Sequence, residues 1–442
     1  SDAALDLLAG FARQSLINLV DGLDYTASFS IPALTTDLAI RITSSTGVLK
    51  AVIAGTGMSA FMGSGDTGVS FSGGEFGLVL FDDSTYAIDA SGAAALVGIP
   101  ELVLKGTLHV RLNTAGSPVN ESIVIPLTGG GTRTVTVAFN DDVTFEVGGI
   151  LGLVVSDFVH VSGEFHFTEG AVEKVDVHTG LSSIQAATTL LGVSTASSDP
   201  SDGSLAQSSD GSLLWNLPVA TMDFGLSGVD VFVGYANSLD AAAVDGDLTQ
   251  AELDAASAIG VFLDDVNLGM VTMRALPVLL APNLTDAELK FFALEVAASN
   301  VGFVGVPGFA LSADNLQVRV NRGSFVPDAW PVEVGVGAPP VVDFQLSFPS
   351  GYVVPTSSTS SVSLTWDQPL AGVSSDNALF RISDFVYVAG GFSFNKGPVE
   401  KVDVHTGLDA TQAGTALAGV TIATSDPADA VPPGERVELL DE

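Results

Sequence analysis

The chain has 442 residues, 47% apolar and only 15% charged, so it can bury the cores of two or three domains and is not a disordered polyelectrolyte. Its 51 acidic residues outweigh 15 basic ones for a formal charge of -36, which opposes nucleic acid and anionic lipid surfaces as partners. The absence of cysteine excludes disulfides, zinc-thiolate sites, iron-sulfur clusters and thiol nucleophiles.

The first predicted element is helical. Between Asp2 and Val20, Leu5, Leu8, Phe11, Leu16, Leu19 and Val20 fall close to one stripe, and residues 1–21 read as a helical or linker segment. No basic stretch followed by an apolar core opens the chain, and no uncharged apolar run reaches ~18 residues. Membrane insertion is therefore not expected, and targeting signals are expected elsewhere than in this sequence.

From residue 22 the dominant period is two. "LHVRLN" at Leu108–Asn113, "TVTVAF" at Thr134–Phe139, "LQVRVN" at Leu316–Asn321 and "SVSLTW" at Ser361–Trp366 all alternate. With 48 glycines and 20 prolines punctuating short runs, this predicts an all-β fold of mainly antiparallel sheet, either sandwich-like or an elongated meander, with one or two short helices. "GSGDTG" at Gly63–Gly68 satisfies a dinucleotide-loop spacing, but no helix pattern follows it, so it reads as a glycine-rich hairpin or loop. In "DFVHVSGEFHF", Val159, Val161, Gly163, Phe165 and Phe167 share one face, and His160, Ser162, Glu164 and His166 share the other. Two imidazoles and a carboxylate there could hold zinc, but an exposed polar strand face is preferred.

"VEKVDVHTGL" at Val172–Leu181 recurs letter for letter at Val399–Leu408. It belongs to a longer match: Ser156–Leu181 aligns with Ser383–Leu408 without gaps, with 19 identities in 26 positions at an offset of 227. "VGIPELVLKGTLHVRLN" from Val97 and "VGVPGFALSADNLQVRVN" from Val304 match more weakly, at an offset of 207 to 208. Two blocks in the same order mean two tandem, divergent modules, at 22–200 and 217–430, with a polar linker at 201–216 and a tail at 431–442. The polar stretch Ser194–Ser212 marks the boundary, while Pro355–Ser363 reads as a loop between strands of the second module.

Inside the decapeptide, Glu173, Val175, Val177 and Thr179 share one face and Lys174, Asp176 and His178 share the other. An Asp-His pair beside a lysine suits acid-base chemistry, but no GxSxG elbow or other nucleophile motif accompanies it. The preferred reading is a structural junction, made by Lys174, Asp176 and His178 and again by Lys401, Asp403 and His405.

"DGDLTQAEL" from Asp245 resembles the second half of an EF-hand loop, with Asp245 fifth, Thr249 ninth and Glu252 at the bidentate twelfth position. Ala241 and Ala243 would then occupy the first and third positions, where calcium needs oxygen. Calcium would have to draw on Asp240, Asp247 or Asp254, so the candidate metal set is Asp245, Asp247, Thr249, Glu252 and Asp254. The alternative is a turn leading into a helix, with Thr249 and Glu252 in capping-box spacing. "SDP" followed by Asp recurs as Asp199 and Asp202, then Asp426 and Asp429, and fits either calcium between modules or an Asp-Pro turn.

"YAIDASGAAALVGIPELVLKGTLHVRLNTAG" and "FVHVSGEFHFTEGAVEKVDVHTGL" look like units of very large repetitive proteins. With the composition, they make the chain resemble the giant surface proteins and adhesins of Gram-negative bacteria. The GGxGxDxxx nonapeptide of the calcium-toxin repeats is missing. The resemblance implies an extracellular or cell-surface location, neighbouring copies or modules as partners, and no catalytic residues. The expected function is a non-enzymatic structural unit of a filament, surface layer or adhesin stalk. The alternative is a calcium-dependent adhesive or glycan-binding module contacting an extracellular glycan or matrix, for which Trp215, Trp330 and Trp366 are the only tryptophans.

Overall fold

The computed structural model describes residues 24–31, 36–45, 48–64, 67–99, 102–140, 145–156, 158–237, 239, 247–276, 288–326, 339–396, 407–408 and 411–413. The segment Asp2–Val20 and residues Asp240, Asp245, Trp330, Lys401, Asp403, His405, Asp426 and Asp429 lie outside them.

The fold is all-β. The first half comprises β1 (Asp24–Ile31), β2 (Thr36–Ser45), β3 (Val48–Ser64), β4 (Thr67–Phe81), β5 (Tyr86–Val97), β6 (Leu102–Asn113), β7 (Val119–Pro126), β8 (Thr132–Phe139), β9 (Phe145–Val155) and β10 (Val159–His178). The helix α1 (Ser183–Thr189) and the short strands β11 (Ser194–Thr195) and β12 (Ala206–Gln207) lead to β13 (Leu213–Tyr235). Then follow α2 (Gln250–Ala255), β14 (Ile259–Ala275), β15 (Glu288–Val304), β16 (Phe309–Val326), β17 (Val341–Asp343) and α3 (Phe344–Ser347). The last described strands are β18 (Tyr352–Pro355), β19 (Ser361–Leu364), β20 (Leu370–Ile382) and β21 (Val386–Lys396).

Most of these strands form one sheet of 17 strands. Its long ladder is an antiparallel meander in the order β1-β2-β3-β4-β5-β6-β9-β10-β13-β14-β15-β16-β20-β21. The β7–β8 and β18–β19 hairpins stay out of the ladder and form two-stranded sheets of their own. Each packs on the meander, because alternation gives it one apolar side. In β8, Val135, Val137 and Phe139 are buried while the intervening residues are exposed. A core forms under each hairpin: Val52, Val79, Ile123, Ile125 and Val137 in the first half, and Leu217, Val271, Phe344, Val354 and Leu364 in the second. Burial of each such side chain contributes roughly 1.5–3 kcal/mol, as an upper bound.

The halves repeat one plan, with β3-β4-β5-β6, an outlying hairpin and β9-β10 answered by β13-β14-β15-β16, an outlying hairpin and β20-β21. "TGMSAFMG" in β3 matches "SGVDVFVG" in β13, and the leading glycine of each, Gly57 (φ 68°) and Gly228 (φ 56°), sits at a β-bulge. Gly77 of β4 and Gly269 of β14 also correspond, and each lies beneath a hairpin valine, Val137 and Val362 respectively. A Cβ on Gly269 would stand 2.6 Å from Val362 Cβ, so the hairpin can seat only over a bare backbone. Asn315 (φ 51°) and Ser299 face each other between the pairs Asn300–Asp314 and Ala298–Leu316, and the register is the same on both sides of them.

Two expectations are corrected. Residues 213–216, expected in the linker, open β13, and Trp215 is buried, because its side chain joins the apolar cover of the strand's start. His160, Ser162 and His166, expected on an exposed polar face, are only 7, 6 and 8% exposed. The reason is position: β10 is an interior strand with β9 on one edge and β13 on the other, and His160 lies beside the ring of Phe232. Burial correspondingly lowers the proton affinity of His166, against the opposing pull of Glu146. Within the Pro355–Ser363 run, residues 356–360 form the expected turn joining β18 to β19, while Pro355 and residues 361–363 belong to the strands themselves.

Candidate functional site at the strand junction

The decapeptide forms the last third of β10, where the two halves meet. Val175, Val177 and Thr179 point into the second core and are at most 1% exposed, as their period predicts. On one edge this segment pairs with the start of β13, and on the other, from Asp176 to His178, with β17. Lys174, Asp176 and His178 each bind a different piece of chain brought to this point.

The Lys174 ammonium donates to the Gly203 carbonyl at 2.7 Å. Asp176 lies opposite a bulge in β13, where Asn216 takes a left-handed φ of 58° and its amide turns away from the ladder. Asp176 Oδ1 accepts that amide at 3.0 Å, and Asn216 Nδ2 reaches on to Asp199 Oδ1 at 2.6 Å. The Asp176 amide donates to Ser347 Oγ at 2.7 Å, and His178 Nε2 lies 3.0 Å from Asp343 Oδ2. Asp343 is also the N-cap of α3, its Oδ1 accepting the Leu346 amide at 2.9 Å. Burial raises the Asp176 pKa, the Asn216 amide opposes the rise, and the charges of Asp199 and Asp343 add to it.

A serine, a histidine and an aspartate therefore converge here, but Ser347 and Asp343 are engaged in holding backbone and His178 is engaged by Asp343. Ser347 Oγ donates to the Asp343 carbonyl at 2.6 Å while accepting the Asp176 amide, and His178 Nε2 is turned to Asp343. What the arrangement does is bind β10, β13 and α3 to one another with charge-assisted and backbone hydrogen bonds. Sequence reasoning found Lys174, Asp176 and His178 but missed Asn216, Asp343 and Ser347. Asp343 was detectable as an aspartate opening a short apolar turn; Asn216 and Ser347 carry no local signal.

In the EF-hand-like segment the structure builds the capping box. Thr249 Oγ1 accepts the Glu252 amide, and Glu252 Oε2 accepts from both the amide and the hydroxyl of Thr249 at 2.8 Å. Asp254 Oδ1 accepts from Gln250 Nε2 at 2.9 Å, and Asp247 is exposed. Nearby Asp230 is buried, with its two oxygens accepting the amides of Leu248 and Asp265. Among the described residues, no three His, Asp or Glu side chains are grouped to hold a metal ion. At the first Asp-Pro turn, Asp202 Oδ1 accepts the Ser204 amide at 2.9 Å within the turn, and Asp199 accepts from Asn216 Nδ2, which ties the turn to β13.

Two polar features had no sequence expectation. An open cavity of about 320 Å³ lies where the β14 bulge at Asp265 comes beside β15, β16 and β20, lined by Asp265, Asn267, Ser299, Asn315, Gln317 and Asp376. Ser299 Oγ donates to Asp265 Oδ2 at 2.7 Å and Asn315 Nδ2 to Asp376 Oδ2 at 2.9 Å, a surface fit to hydrogen-bond a polar chain but with no aromatic wall. The second is Asp223 of β13, 7% exposed, which accepts the Tyr352 hydroxyl at 3.0 and 3.1 Å on its two oxygens. Burial pushes its carboxyl up to about 7, with the Tyr352 hydrogen bond opposing, and raises the Tyr352 phenol as well.

No protein-family model, curated protein or solved structure matches the chain. Among the described residues, no helix is long and apolar enough to cross a membrane.

Proposed function

We propose that the chain is a non-enzymatic structural protein of the cell surface or extracellular space, a repeat unit of a filament, surface layer or adhesin stalk whose partners are neighbouring modules of its own kind. The observation that carries this reading is the junction. The side chains that recur letter for letter, Lys174, Asp176 and His178, spend their polar groups on joining one half of the sheet to the next. An element that recurs with its module and binds the following module is what a tandem array requires, since each unit contacts only its neighbours. The charge of -36 and the lack of cysteine suit an extracellular, salt-screened setting. Ser347 Oγ is engaged by backbone on both sides, accepting the Asp176 amide and donating to the Asp343 carbonyl, which supports a structural role for it.

Negative-stain electron microscopy of the purified protein over a range of concentrations tests the reading. Strings, rods or ordered sheets are expected; isolated globules at every concentration would refute it.

A further inference from the structure

β21 is the twin of β10 in sequence, hairpin and register, but not in surroundings. Both hairpins turn through a serine of positive φ, Ser156 (51°) and Ser383 (46°), and both close with the same backbone bond, Phe158 to Val155 and Phe385 to Ile382. Val159 pairs with Val155 and Gly163 with Leu151 in the first, as Val386 pairs with Ile382 and Gly390 with Ala378 in the second. The other edge of β10 is taken by β13, whereas β21 pairs with β20 alone among the described residues, and every residue of it is exposed. Val388 is 61% exposed and Phe394 67%, although their identical counterparts Val161 and Phe167 are partly buried. From Val386 to Asn395 this edge carries no charge and no proline, the residues that ordinarily protect a free strand.

Glycine supplies a second observation. Gly163 has φ 151°, and a Cβ on it would stand 2.6 Å from Val229 Cα, because the β13 bulge presses against it. Gly390 keeps the same backbone, φ 157°, yet nothing lies within 4 Å of its Cβ position. The backbone is shaped to receive a bulged strand, and none lies there among the described residues.

The other end of the chain offers the complement. β3 is the twin of β13, and β2 covers its outer edge only from Val48 to Thr56, leaving Met58–Ser64 with no outer partner among the described residues. Phe61 there is 48% exposed, whereas its counterpart Phe232, which pairs with His160 of β10 and packs against Leu248 and Leu253, is fully buried.

The geometry points to a head-to-tail strand pairing between two copies of this chain, β21 of one adding to the free end of β3 of the next. In the β10–β13 register, Tyr387 meets Phe61, Val388 meets Ala60, Gly390 lies over the Gly57 bulge and the Phe385 carbonyl receives the Gly63 amide. β2 confines the contact to Phe385–Gly390, so it is a small interface of the transient kind. Because the two surfaces differ, each added copy leaves a free surface for the next, so the contact propagates head to tail. This inference rests on the array reading and names the surface that makes it.

Sedimentation velocity of full-length chains tests it. Val388→Lys charges the acceptor at a side chain that is 61% exposed, and Phe61→Lys charges the donor. Concentrated wild-type protein is expected to form a ladder of oligomers, each variant alone to stay monomeric, and an equimolar mixture of the two to stop at dimers, since each retains the surface the other lacks. Hydrogen exchange of the β13–β14 amides, unchanged from wild type, shows that the variants are folded. Monomeric wild type, a mixture that gives no dimer, or either variant alone assembling like wild type each overturns the inference. Arrays seen by microscopy that survive Val388→Lys would overturn this contact alone and leave the array reading standing.

Discussion

Replacing Asp223 by asparagine removes a charge and keeps the shape. The carboxylate lies between the sheet and the β18–β19 hairpin, and its pKa rises from 3.8 to about 7 on folding, chiefly through burial. The folded state therefore holds the proton more tightly than the unfolded state. Between pH 3.8 and about 7 it binds more protons, so its stability falls as pH rises through this window and levels off above it. At about 1.36 kcal/mol per pH unit, the loss assigned to this one group is roughly 4 kcal/mol, an upper figure because neighbouring dipoles relax. Asparagine still offers an oxygen to the Tyr352 hydroxyl and carries no charge to desolvate. Asp223→Asn is expected to leave stability at pH 4 within about 1 kcal/mol of wild type and to raise it by about 2–4 kcal/mol at pH 8. Urea unfolding at both values, followed by tryptophan fluorescence, measures the difference between the proteins and cancels the slopes they share, such as those of Asp176 and Asp230, whose pKa values also rise with burial. A variant no more stable than wild type at pH 8, or a gain of equal size at pH 4, refutes the account.

At the junction, Asp176→Ala leaves the Asn216 amide without its acceptor and is expected to cost about 1–3 kcal/mol, whereas Asp176→Asn retains an oxygen and costs less; equal losses in urea would show that the hydrogen bond is not what matters. Gly225 lies directly under the hairpin, with its Cβ position 2.5 Å from Thr356 Cα, so Gly225→Val is expected to cost about 3 kcal/mol and to expose the hairpin to protease, and an unchanged melt would contradict the packing.

Some of this was legible from one chain. The alternation in "TVTVAF" predicts which side of β8 is buried, because a strand has only two faces. The Thr249 and Glu252 spacing predicts a capped helix, which forms, although it ends at Ala255 and the apolar run beyond it enters β14. The buried state of His160 and His166 was not legible, since polarity alone does not reveal that both strand edges are covered. Nor was the role of Asp223, whose partner Tyr352 stands 129 positions away.

The sequence by itself determined the all-β class, the internal repeat and the residues of the recurring junction strand, because these follow from periodicity and identity, which are local or exact. Only the tertiary structure decided what each repeat touches. β10 and β21 share their turn and much of their sequence, but the second edge of β10 is sealed by β13, whereas β21 pairs with β20 alone among the described residues. Burial and edge pairing depend on which strand arrives from elsewhere, and the strand's own sequence does not contain that information.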